Sequence, residues 1–528
     1  MPNVLAPSVA RAPAHTFFRF PIMRVRALIP AFALAAAVIG CRADVNLTNP
    51  NAPTVATFWR TANDAQQGVT AAYQNLNYLG TFLRWHAFAY DIRSDEGTSF
   101  SPWTDLANQS KFAFANYDFP TVHDTWYDSY VGISRANQVV AYVPGIQMDA
   151  TTRDRYVAEG KFLRGLHYWE LITLFGGNIP LLTKPSAVSD RPGPAGDAAI
   201  WAQIEKDFSE AAAVLPAQTM GQSSGHAVKA SAQGMLGKAL LQQRKWAQAA
   251  AALKPIVDGQ SGGFSLLGNY ADLFNSNGNN TNESLFETQT GDPNLCASQG
   301  ICGLNIGRMI GPCGPSYCDG RPTRWFFNQF LIDSTTTGKV DPRAQATLFF
   351  YQGPDTPVHG LTWAQRAGGP DGPAYRDTTA IYFAKYTEYY LPGAPFDIQW
   401  DAPLNYKILR YADVLLMYAE ALNEQGQPAA AAPFVNMVRA RAKLRPLPTL
   451  TQPAMRDAIL HERLLEFGLE MQRWTDLGRQ NLLTASYLPT LISHDDEFRN
   501  FVPNKSERYP IPTSELNLNP NLKQNPGW

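Results

Sequence analysis

The chain has 528 residues, enough for one large core or for two lobes. Its 44 Lys and Arg residues are balanced by 45 Asp and Glu residues, so the composition offers no basic field that could hold nucleic acid. Aromatic residues make up 12% of the chain, and Gly and Pro number 39 each. This combination favours helices interrupted by long, aromatic-bearing loops over a compact helical bundle.

Residues 1–40 have the pattern of an export signal. Two arginines just after Met23 precede an uncharged run over 27–40, which is too short to span a bilayer but fits the apolar core of a signal peptide. Residues 1–22 add nothing that a signal needs, so translation is expected to begin at Met23. The run ends in VIGC, which resembles the lipobox of bacterial lipoproteins and implies lipid attachment to Cys41. The alternative is an ordinary signal peptide followed by a chance cysteine.

Helical periodicity dominates residues 41–263, the expected N-terminal helical scaffold. The pattern predicts helices over 62–79, 124–143 and 153–175. The third helix ends at Gly176, and Asp197 can cap the next one. That next helix is predicted to bury Ile200, Ile204, Phe208 and Leu215. A helical hairpin around Gly237 and Trp246 completes this part of the chain.

The pattern changes over residues 264–405, the expected loop-rich ligand lobe. Helical periodicity weakens there, turn residues multiply and aromatic residues accumulate. Long loops held by a rigid scaffold commonly carry function. We therefore expect an exposed aromatic platform built from this lobe and from a polar loop nearer the N-terminus. Its candidate residues are Asp95, Trp103, Trp325, Trp363, Tyr375 and Trp400, although each aromatic could instead be buried in the core.

Four cysteines are clustered in the same lobe: Cys296, Cys302, Cys313 and Cys318. An even number of clustered cysteines in an exported protein indicates disulfide bonds. Zinc is the alternative, but the spacings lack paired C-x2-C motifs and no histidine lies nearby in the sequence, so no metal is expected. Three connectivities are possible, and the short-range pairs Cys296–Cys302 and Cys313–Cys318 are preferred.

The stretch 409–426 is the most apolar helix in the chain, with only a narrow polar stripe. Such a helix must be packed on two or more sides. Gly426 ends it, and a second helical run over 429–442 follows after almost no loop. The sequence therefore predicts a helical hairpin whose first helix is sandwiched between neighbours.

The two hairpins share one spacing of small and apolar residues, which resembles the tetratricopeptide repeat. Counted from Gly237, these residues are Leu240, Ala249, Leu253 and Ile256. The same offsets counted from Ala419 give Leu422, Ala431, Val435 and Val438. Neither copy has the closing proline of the repeat and the two lie far apart in the chain, so two ordinary hairpins are the alternative.

Residues 406–528 are expected to form a C-terminal helical scaffold and a wrapping tail. Pro453 begins a predicted helix that continues to Arg479. Its charged residues are spaced for i,i+3 and i,i+4 ion pairs and are assigned a structural rather than a catalytic role: Arg463, Glu466, Glu470, Arg473 and Asp476. The tail over 509–528 is too rich in proline to be predicted as a helix.

Five segments together resemble the SusD/RagB-like outer-membrane nutrient-binding lipoproteins. They occur in the order of that family and span essentially the whole mature chain: FLRGLHYWELITLFGGNIPLLT, NNTNESLFETQ, RYADVLLMYAEALNEQG, ERLLEFGLEMQRWTDLGR and YPIPTSELNLNPNLKQNPGW. The terminal Trp528 and the loop with four cysteines depart from the family pattern. The resemblance implies a mainly α fold, in which tetratricopeptide-like helix pairs form an α superhelix beside a loop-rich lobe.

The resemblance also implies a function. Proteins of this family are anchored to the outer membrane by lipid, face the cell surface, capture a nutrient that is often a glycan, and cover a SusC-like TonB-dependent barrel. Such capture requires no catalytic residue, cofactor or metal, because aromatic rings stack on sugars while polar groups bond the hydroxyls. The sequence leaves the identity of the nutrient open.

Two other classes of protein are alternatives to a nutrient-binding lipoprotein. A secreted glycosidase would need two carboxylates about 5 to 9.5 Å apart across a cleft, and no compact acidic motif occurs in the aromatic loops. A helical-repeat scaffold that binds only proteins is the second alternative. The lipobox and the large aromatic lobe both weigh against a scaffold of that kind.

Overall fold

The computed structural model describes most of the chain, in four ranges: 55–187, 189–290, 303–387 and 402–528. The chain divides into two compact units, Met1–Phe58 and Trp59–Trp528. In the first unit the described element is a single turn of helix, α1 (Val55–Phe58). Within the described ranges, none of the helices has the length and apolar character required to cross a membrane. The other helices and strands described below all lie in the second unit.

Helices of the N-terminal part pack against one another in chain order. They are α2 (Ala62–Gln74), α3 (Thr104–Ser110), α4 (Pro120–Tyr142), α5 (Ala150–Phe175), α6 (Asp197–Val214), α7 (Lys229–Gln242) and α8 (Trp246–Val257). From α4 onwards each helix contacts the next, which gives a row of antiparallel pairs. The predicted helices are therefore present, and their ends differ from the predictions by a few residues.

The C-terminal part continues this row of helices. Its elements are α14 (Tyr411–Glu424), α15 (Pro428–Arg441), α16 (Gln452–Phe467), α17 (Arg473–Arg479), α18 (Leu488–His494) and α19 (Thr513–Leu518). Helix α14 is buried on nearly every side, between α8, α15 and α16. The prediction of a sandwiched helix is confirmed. The two hairpins that share one spacing, α7–α8 and α14–α15, are neighbours in space although they are far apart in the sequence.

Small residues let these helices approach closely. A Cβ atom at Gly237 would lie 2.4 Å from a methyl carbon of Leu253, well inside van der Waals contact. Gly237 thus lets α7 and α8 pack together at the position where the repeat spacing places a small residue. The mainly α fold with tetratricopeptide-like helix pairs is confirmed.

The segment between the two helical parts contains short elements. Its helices are α9 (Ile306–Ile310), α10 (Arg324–Gln329), α11 (Arg343–Thr347), α12 (Trp363–Gly368) and α13 (Gly372–Arg376). Within the described ranges, short strands of this segment and of the two helical parts form antiparallel pairs: β1 (Gly97–Ser99) with β3 (Gly320–Pro322), β2 (Ser284–Glu287) with β8 (Lys407–Arg410), β4 (Leu348–Phe350) with β7 (Ile381–Phe383), and β5 (Pro357–Val358) with β6 (Leu361–Thr362). A small second core lies here, formed by Phe349, Val358, Trp363, Tyr375, Tyr382 and Ala384.

The prediction of one long helix from Pro453 to Arg479 is wrong, because the helix is interrupted between α16 and α17. Leu469 and Met471 have left-handed backbone conformations, with φ of 63° and 58°. Their amides instead donate to carboxylates from an N-terminal loop: Leu469 N to Glu96 Oε1 at 3.1 Å and Met471 N to Asp91 Oδ1 at 2.9 Å. These bonds compensate for the helical hydrogen bonds that the break removes.

The charges of α16 and α17 are structural, as predicted, but most of their partners come from other elements. Arg410 precedes α14 and bonds Glu470 at 2.6 Å and Glu466 at 2.6 Å. Arg463 bonds Asp413 of α14 at 2.7 Å. Burial alone would raise the pKa of Glu466, but the surrounding guanidinium groups hold it well below its usual range.

The C-terminal tail wraps over the helices, as expected, and it also contains the short helix α19. The expectation of a tail without helix is therefore wrong, because the prolines lie before the first turn of α19 rather than within it. Tyr509 N donates to Leu174 O at 2.7 Å, and Asn525 Nδ2 donates to Phe175 O at 2.9 Å. These bonds fix the tail at the end of α5, where the chain leaves the helix.

Candidate functional site

The pairing of β1 with β3 brings together the two regions predicted to bind ligand. Phe100, Trp103 and Tyr317 are exposed around this pair, with 63%, 48% and 51% of their surfaces accessible. Phe100 N donates to Asp319 O at 3.1 Å, which extends the pairing by one residue. We call the surface formed by Phe100, Trp103, Tyr317 and Arg321 the β1–β3 surface. Exposed aromatic side chains gathered in one place are typical of a binding site rather than of a core.

Trp103 is half exposed, and its ring is held firmly in place. It makes edge contacts with Phe119, at 4.7 Å between ring centroids, and with Trp85 at 6.3 Å. The backbone amide of Trp103 donates to Ser101 Oγ at 3.1 Å, and α3 begins directly after it. A ring fixed in this way loses little conformational entropy when it binds a ligand.

Tyr317 is presented by a short loop that a disulfide bond closes. The predicted bridge between Cys313 and Cys318 is present in the structure. Tyr317 N donates to Arg308 O at 3.0 Å, and the Arg308 guanidinium lies 4.8 Å from the centre of the tyrosine ring. The bridge and the arginine therefore restrain a ring that would otherwise move freely at the loop tip.

A cavity of about 310 Å³ opens beside Phe100. Its wall includes Thr98, Phe100, Arg321, Arg324, Asp495 and Asp496. The Arg321 guanidinium lies 5.0 Å from the centre of the Phe100 ring. Burial, with neighbouring carboxylates as a further cause, raises the pKa of Asp495 to about 6. The cavity thus combines an aromatic face with both donors and acceptors, which suits a ligand rich in hydroxyl groups.

Asp95 was expected to lie on an exposed platform, and that expectation of exposure is wrong. Its carboxylate is fully buried and accepts two bonds of 2.7 Å from Arg473, and His494 Nδ1 lies 2.9 Å from it. Burial alone would raise the pKa of Asp95, but Arg473 and His494 lower it to about 2. Asp95 therefore anchors the loop below the β1–β3 surface.

Trp363 and Tyr375 are also buried, so the expectation of exposure is wrong for both. Their rings lie 5.3 Å apart in the second core, and Trp363 Nε1 donates to Tyr375 O at 2.6 Å. Tyr375 Oη donates to Cys313 O at 2.7 Å, so this core supports the loop that carries Tyr317. The two residues contribute to the site from beneath it.

Trp325 is half-buried, and one face of its ring is already occupied. It stacks on the His494 ring at 3.8 Å between centroids, and the Arg473 guanidinium lies 5.6 Å away. Of the predicted binding residues, Trp103 is therefore the one that the structure exposes most clearly. Four other predicted residues lie outside the described ranges: Cys41, Cys296, Cys302 and Trp400.

Phe100, Tyr317 and Arg321 were missed by the sequence analysis. A signal for Tyr317 does exist in the sequence, because it stands between two cysteines only five positions apart. A disulfide loop of that size has almost no interior, so its aromatic residue must lie outside. For Phe100 and Arg321, which become neighbours through β1–β3 pairing, the sequence holds no comparable local signal.

The pentapeptide GQSSG at 221–225 has the spacing of a serine-hydrolase motif. Ser223 Oγ, however, donates to the carbonyl oxygens of Met220 and His226, at 3.0 and 2.6 Å. The serine lies in a 3₁₀ turn rather than in the strand-to-helix turn that such enzymes use. The local geometry therefore gives the serine no activating base. In the described ranges no group of His, Cys, Asp and Glu side chains could hold a metal ion.

The fold and the site define a class of protein: a helical-repeat scaffold that presents aromatic rings on loops for binding. Comparison with known proteins identifies the family. Residues 246–528, more than half of the chain, match the model described as the SusD family. Residues 60–241 match a second model, described as starch-binding and associating with the outer membrane. The chain belongs to the SusD family.

Individual relatives agree with this assignment. A SusD-like protein of Formosa agariphila is 28% identical over 506 residues, which cover 88% of this chain and 92% of that protein. The crystal structure of a SusD superfamily protein from Bacteroides vulgatus superposes with a TM-score of 0.76 at 23% identity, covering 89% of this chain and all of that one. A laminarin-binding SusD-like protein superposes with a TM-score of 0.71 at 28% identity, with the same coverage of both chains.

Proposed function

We propose that this protein captures a glycan at the cell surface and delivers it to a SusC-like TonB-dependent barrel in the outer membrane. The observation that carries the proposal is the β1–β3 surface, where Phe100, Trp103 and Tyr317 are exposed and a cavity lined by arginines and aspartates opens beside Phe100. Lipid on Cys41 would anchor the protein to the membrane. Membership of the SusD family supports this function, because individual relatives are named for binding starch and laminarin.

Capture of this kind is a binding event rather than a reaction. A tyrosine or tryptophan ring covers the apolar face of a sugar, and charged or amide side chains bond its hydroxyl groups. The β1–β3 surface supplies both kinds of group within one site. We therefore propose a protein without catalytic activity that holds its glycan reversibly.

The proposed ligand is a neutral glycan. Arg321 and Arg324 are offset in the cavity wall by Asp495 and Asp496, so no single sign of charge dominates the site. One structural neighbour is named for laminarin binding, which makes laminarin the first compound to test. The identity of the sugar is the part of the proposal that the experiment below decides.

Isothermal titration calorimetry with laminarin, starch, xylan and a peptide digest tests the proposal. We expect at least one glycan to bind, and Trp103→Ala and Tyr317→Ala each to weaken that binding several-fold, since one stacked ring contributes on the order of 1 kcal/mol. Tyr127→Ala is the matched control, because Tyr127 is 54% exposed but lies outside the β1–β3 surface. Binding of the peptides alone, or equal loss in the control, would contradict the proposal.

Delivery to a barrel requires a separate test. Purification of the lipidated protein from native membranes should recover a SusC-like barrel with it, as a stable complex in detergent. Failure to recover any barrel from native membranes would contradict delivery and leave glycan capture standing.

A further inference from the structure

A larger cavity lies elsewhere on the molecule and shares no lining residue with the β1–β3 surface. It has a volume of about 630 Å³ and opens between the end of α5, the start of α6, the segment after α17 and residues 503–508. Its wall includes Asp197, Trp201, Asn481, Asn504, Glu507 and Arg508. This volume falls in the range of roughly 300–1,000 Å³ that is usual for small-molecule sites.

Trp201 gives the cavity an aromatic wall. The side chain is half-buried, and part of the indole packs against the main core. Among the residues that the structure describes, no other ring and no cation contacts this indole, and no protein group accepts a bond from its N–H. Trp474 on the same wall differs, because the Arg93 guanidinium lies 4.3 Å from its ring and only 2% of the residue is exposed. Trp201 is therefore the ring that can still accept a partner.

Two amide side chains in the wall are also available. Asn481 and Asn504 are exposed, and in the described part of the chain neither side-chain amide makes a hydrogen bond. Both residues have left-handed backbone conformations, with φ of 56° and 67°. Asparagine tolerates this conformation well, so both residues present unbonded side-chain amides at the cavity without backbone strain.

The charged groups of the wall largely offset one another. Asp197 Oδ1 accepts a bond of 2.7 Å from Gly177 N, and Asp197 Oδ2 lies 3.7 Å from the Arg508 guanidinium. Glu507 Oε1 accepts a bond of 2.7 Å from Asn504 N. One acid is thus paired with the arginine and the other is tied to the backbone. The cavity has no cluster of one charge that would select an ionic ligand.

We propose that this cavity is a second saccharide-binding site, which takes a short stretch of a neutral oligosaccharide; the inference rests on the glycan capture proposed above. The Trp201 ring would cover one face of a sugar, while the amides of Asn481 and Asn504 and the free carboxylate oxygens bond hydroxyl groups. Two sites on one molecule retain a long glycan more firmly than either site alone, because binding at the first raises the effective concentration at the second.

The test uses calorimetry with the hexasaccharides of laminarin and of starch on the full-length protein. We expect two equivalents to bind the parent, and only one of them to keep the parent's affinity in each of the variants Trp103→Ala and Trp201→Ala, which weaken opposite sites. The affinity of the site that is changed should fall several-fold, because one stacked ring is lost. Trp246→Ala is the matched control, because Trp246 is another half-buried tryptophan that packs on the core outside both cavities.

A second variant protects the test against misfolding of Trp201→Ala. In the double variant Asn481→Gly and Asn504→Gly both amides are lost, and glycine keeps the left-handed backbone without strain. It should also lose the second equivalent while its melting temperature stays near that of the parent.

The possible failures are distinguishable. One equivalent in the parent, unchanged by Trp201→Ala and by the double variant, overturns the second site but leaves glycan capture intact. Loss of barrel co-purification in these variants, with saccharide binding unchanged, makes the cavity a protein contact and likewise overturns the second site. Absence of binding by either hexasaccharide, and by the polysaccharides above, overturns both the second site and the proposed function.

Discussion

Ala419 is a residue whose size the fold depends on. It is fully buried on α14, the helix enclosed by α8, α15 and α16. A larger side chain at this position would have to displace a neighbouring helix. A charged side chain would be buried there without solvent and without a partner. The tolerance of the protein to change at Ala419 therefore reports directly on the packing of the helical pairs.

We predict that Ala419→Glu lowers the free energy of unfolding by about 3–5 kcal/mol, because a carboxylate would be buried without a partner. Urea denaturation followed by circular dichroism measures the change. Ala430→Glu is the control: Ala430 is exposed in the first turn of α15, where a carboxylate is favourable at the helix N-terminus. Equal stability of the two variants would show that α14 is not enclosed in solution.

Asp91 and Glu96 form a buried acidic pair beside the break between α16 and α17. Burial raises the pKa of Glu96 to about 7, and burial with the neighbouring Glu96 raises that of Asp91. Both pKa values are thus higher in the folded protein than in the unfolded chain. The resulting stabilisation is fully present below the unfolded pKa of Glu96, near 4.5, and is lost as the pH rises through about 7.

Glu96→Gln should remove the contribution of Glu96 to this pH dependence and leave that of Asp91, because glutamine can still accept the bond from Leu469 N but cannot ionise. We predict that the unfolding free energy of the parent falls relative to this variant by roughly 3 kcal/mol between pH 4.5 and pH 8. Denaturant unfolding at four pH values across this range measures the difference. Parallel curves for the two proteins would mean that Glu96 is not protonated in the folded state.

At the scale of the element, the Cys313–Cys318 loop depends on the small core beneath it. Tyr375 reaches up to the carbonyl of Cys313, while Arg321 Nη2 lies 3.2 Å from Cys313 Sγ. The loop therefore has two supports besides its covalent bridge. This explains how a short segment without regular structure can hold Tyr317 in one position.

Replacement of both cysteines by serine, in Cys313→Ser with Cys318→Ser, should lower the unfolding free energy by about 2 kcal/mol or less, because the closed loop is short. The free energy of glycan binding should fall by more than the free energy of unfolding, since Tyr317 would lose its fixed position. Thermal unfolding and calorimetry on the same sample provide the comparison. Unchanged glycan affinity would show that Tyr317 does not contact the ligand.

The elements were predictable where the cause was local. The apolar residues of α14 themselves predict that this helix is enclosed. Gly176 likewise predicts where α5 ends. The break after Phe467 was missed because the groups that hold it, Asp91 and Glu96, come from the other end of the chain. Arg410 was assigned to a helix for the same reason, since its strand exists only through pairing with β2.

The binding surface was predictable by region but not by residue. Aromatic content pointed to the two loops that β1 and β3 join, where Phe100, Trp103 and Tyr317 are exposed. It did not distinguish Trp103, which is 48% exposed, from Trp363, which is 1% exposed. The difference arises because Trp363 packs against Tyr375 and Tyr382 in the second core. No pattern in the sequence predicts that packing.

For the whole molecule, the proposed lipid anchor would decide where the proposed binding sites operate. We predict that Cys41→Ala gives a protein that takes up no labelled fatty acid and no longer fractionates with membranes, because only the cysteine that follows the signal can be lipidated. Metabolic labelling and membrane fractionation measure both effects, with the Cys313→Ser and Cys318→Ser double variant as the control. Continued labelling of Cys41→Ala would contradict the assignment.

The bond between Asp95 and Arg473 has a consequence for when the protein folds relative to its synthesis. The two residues are 378 positions apart in the sequence, and Asn525 meets Phe175 across 350 positions. Contacts of such separation form late, because a long loop must close before they can stabilise anything. A chain that emerges N-terminus first therefore holds the Asp95 carboxylate without its arginine until most of the chain has appeared. We therefore expect the fold to be completed only after the C-terminal part has been made, which suits a protein proposed to cross a membrane before it acquires its shape.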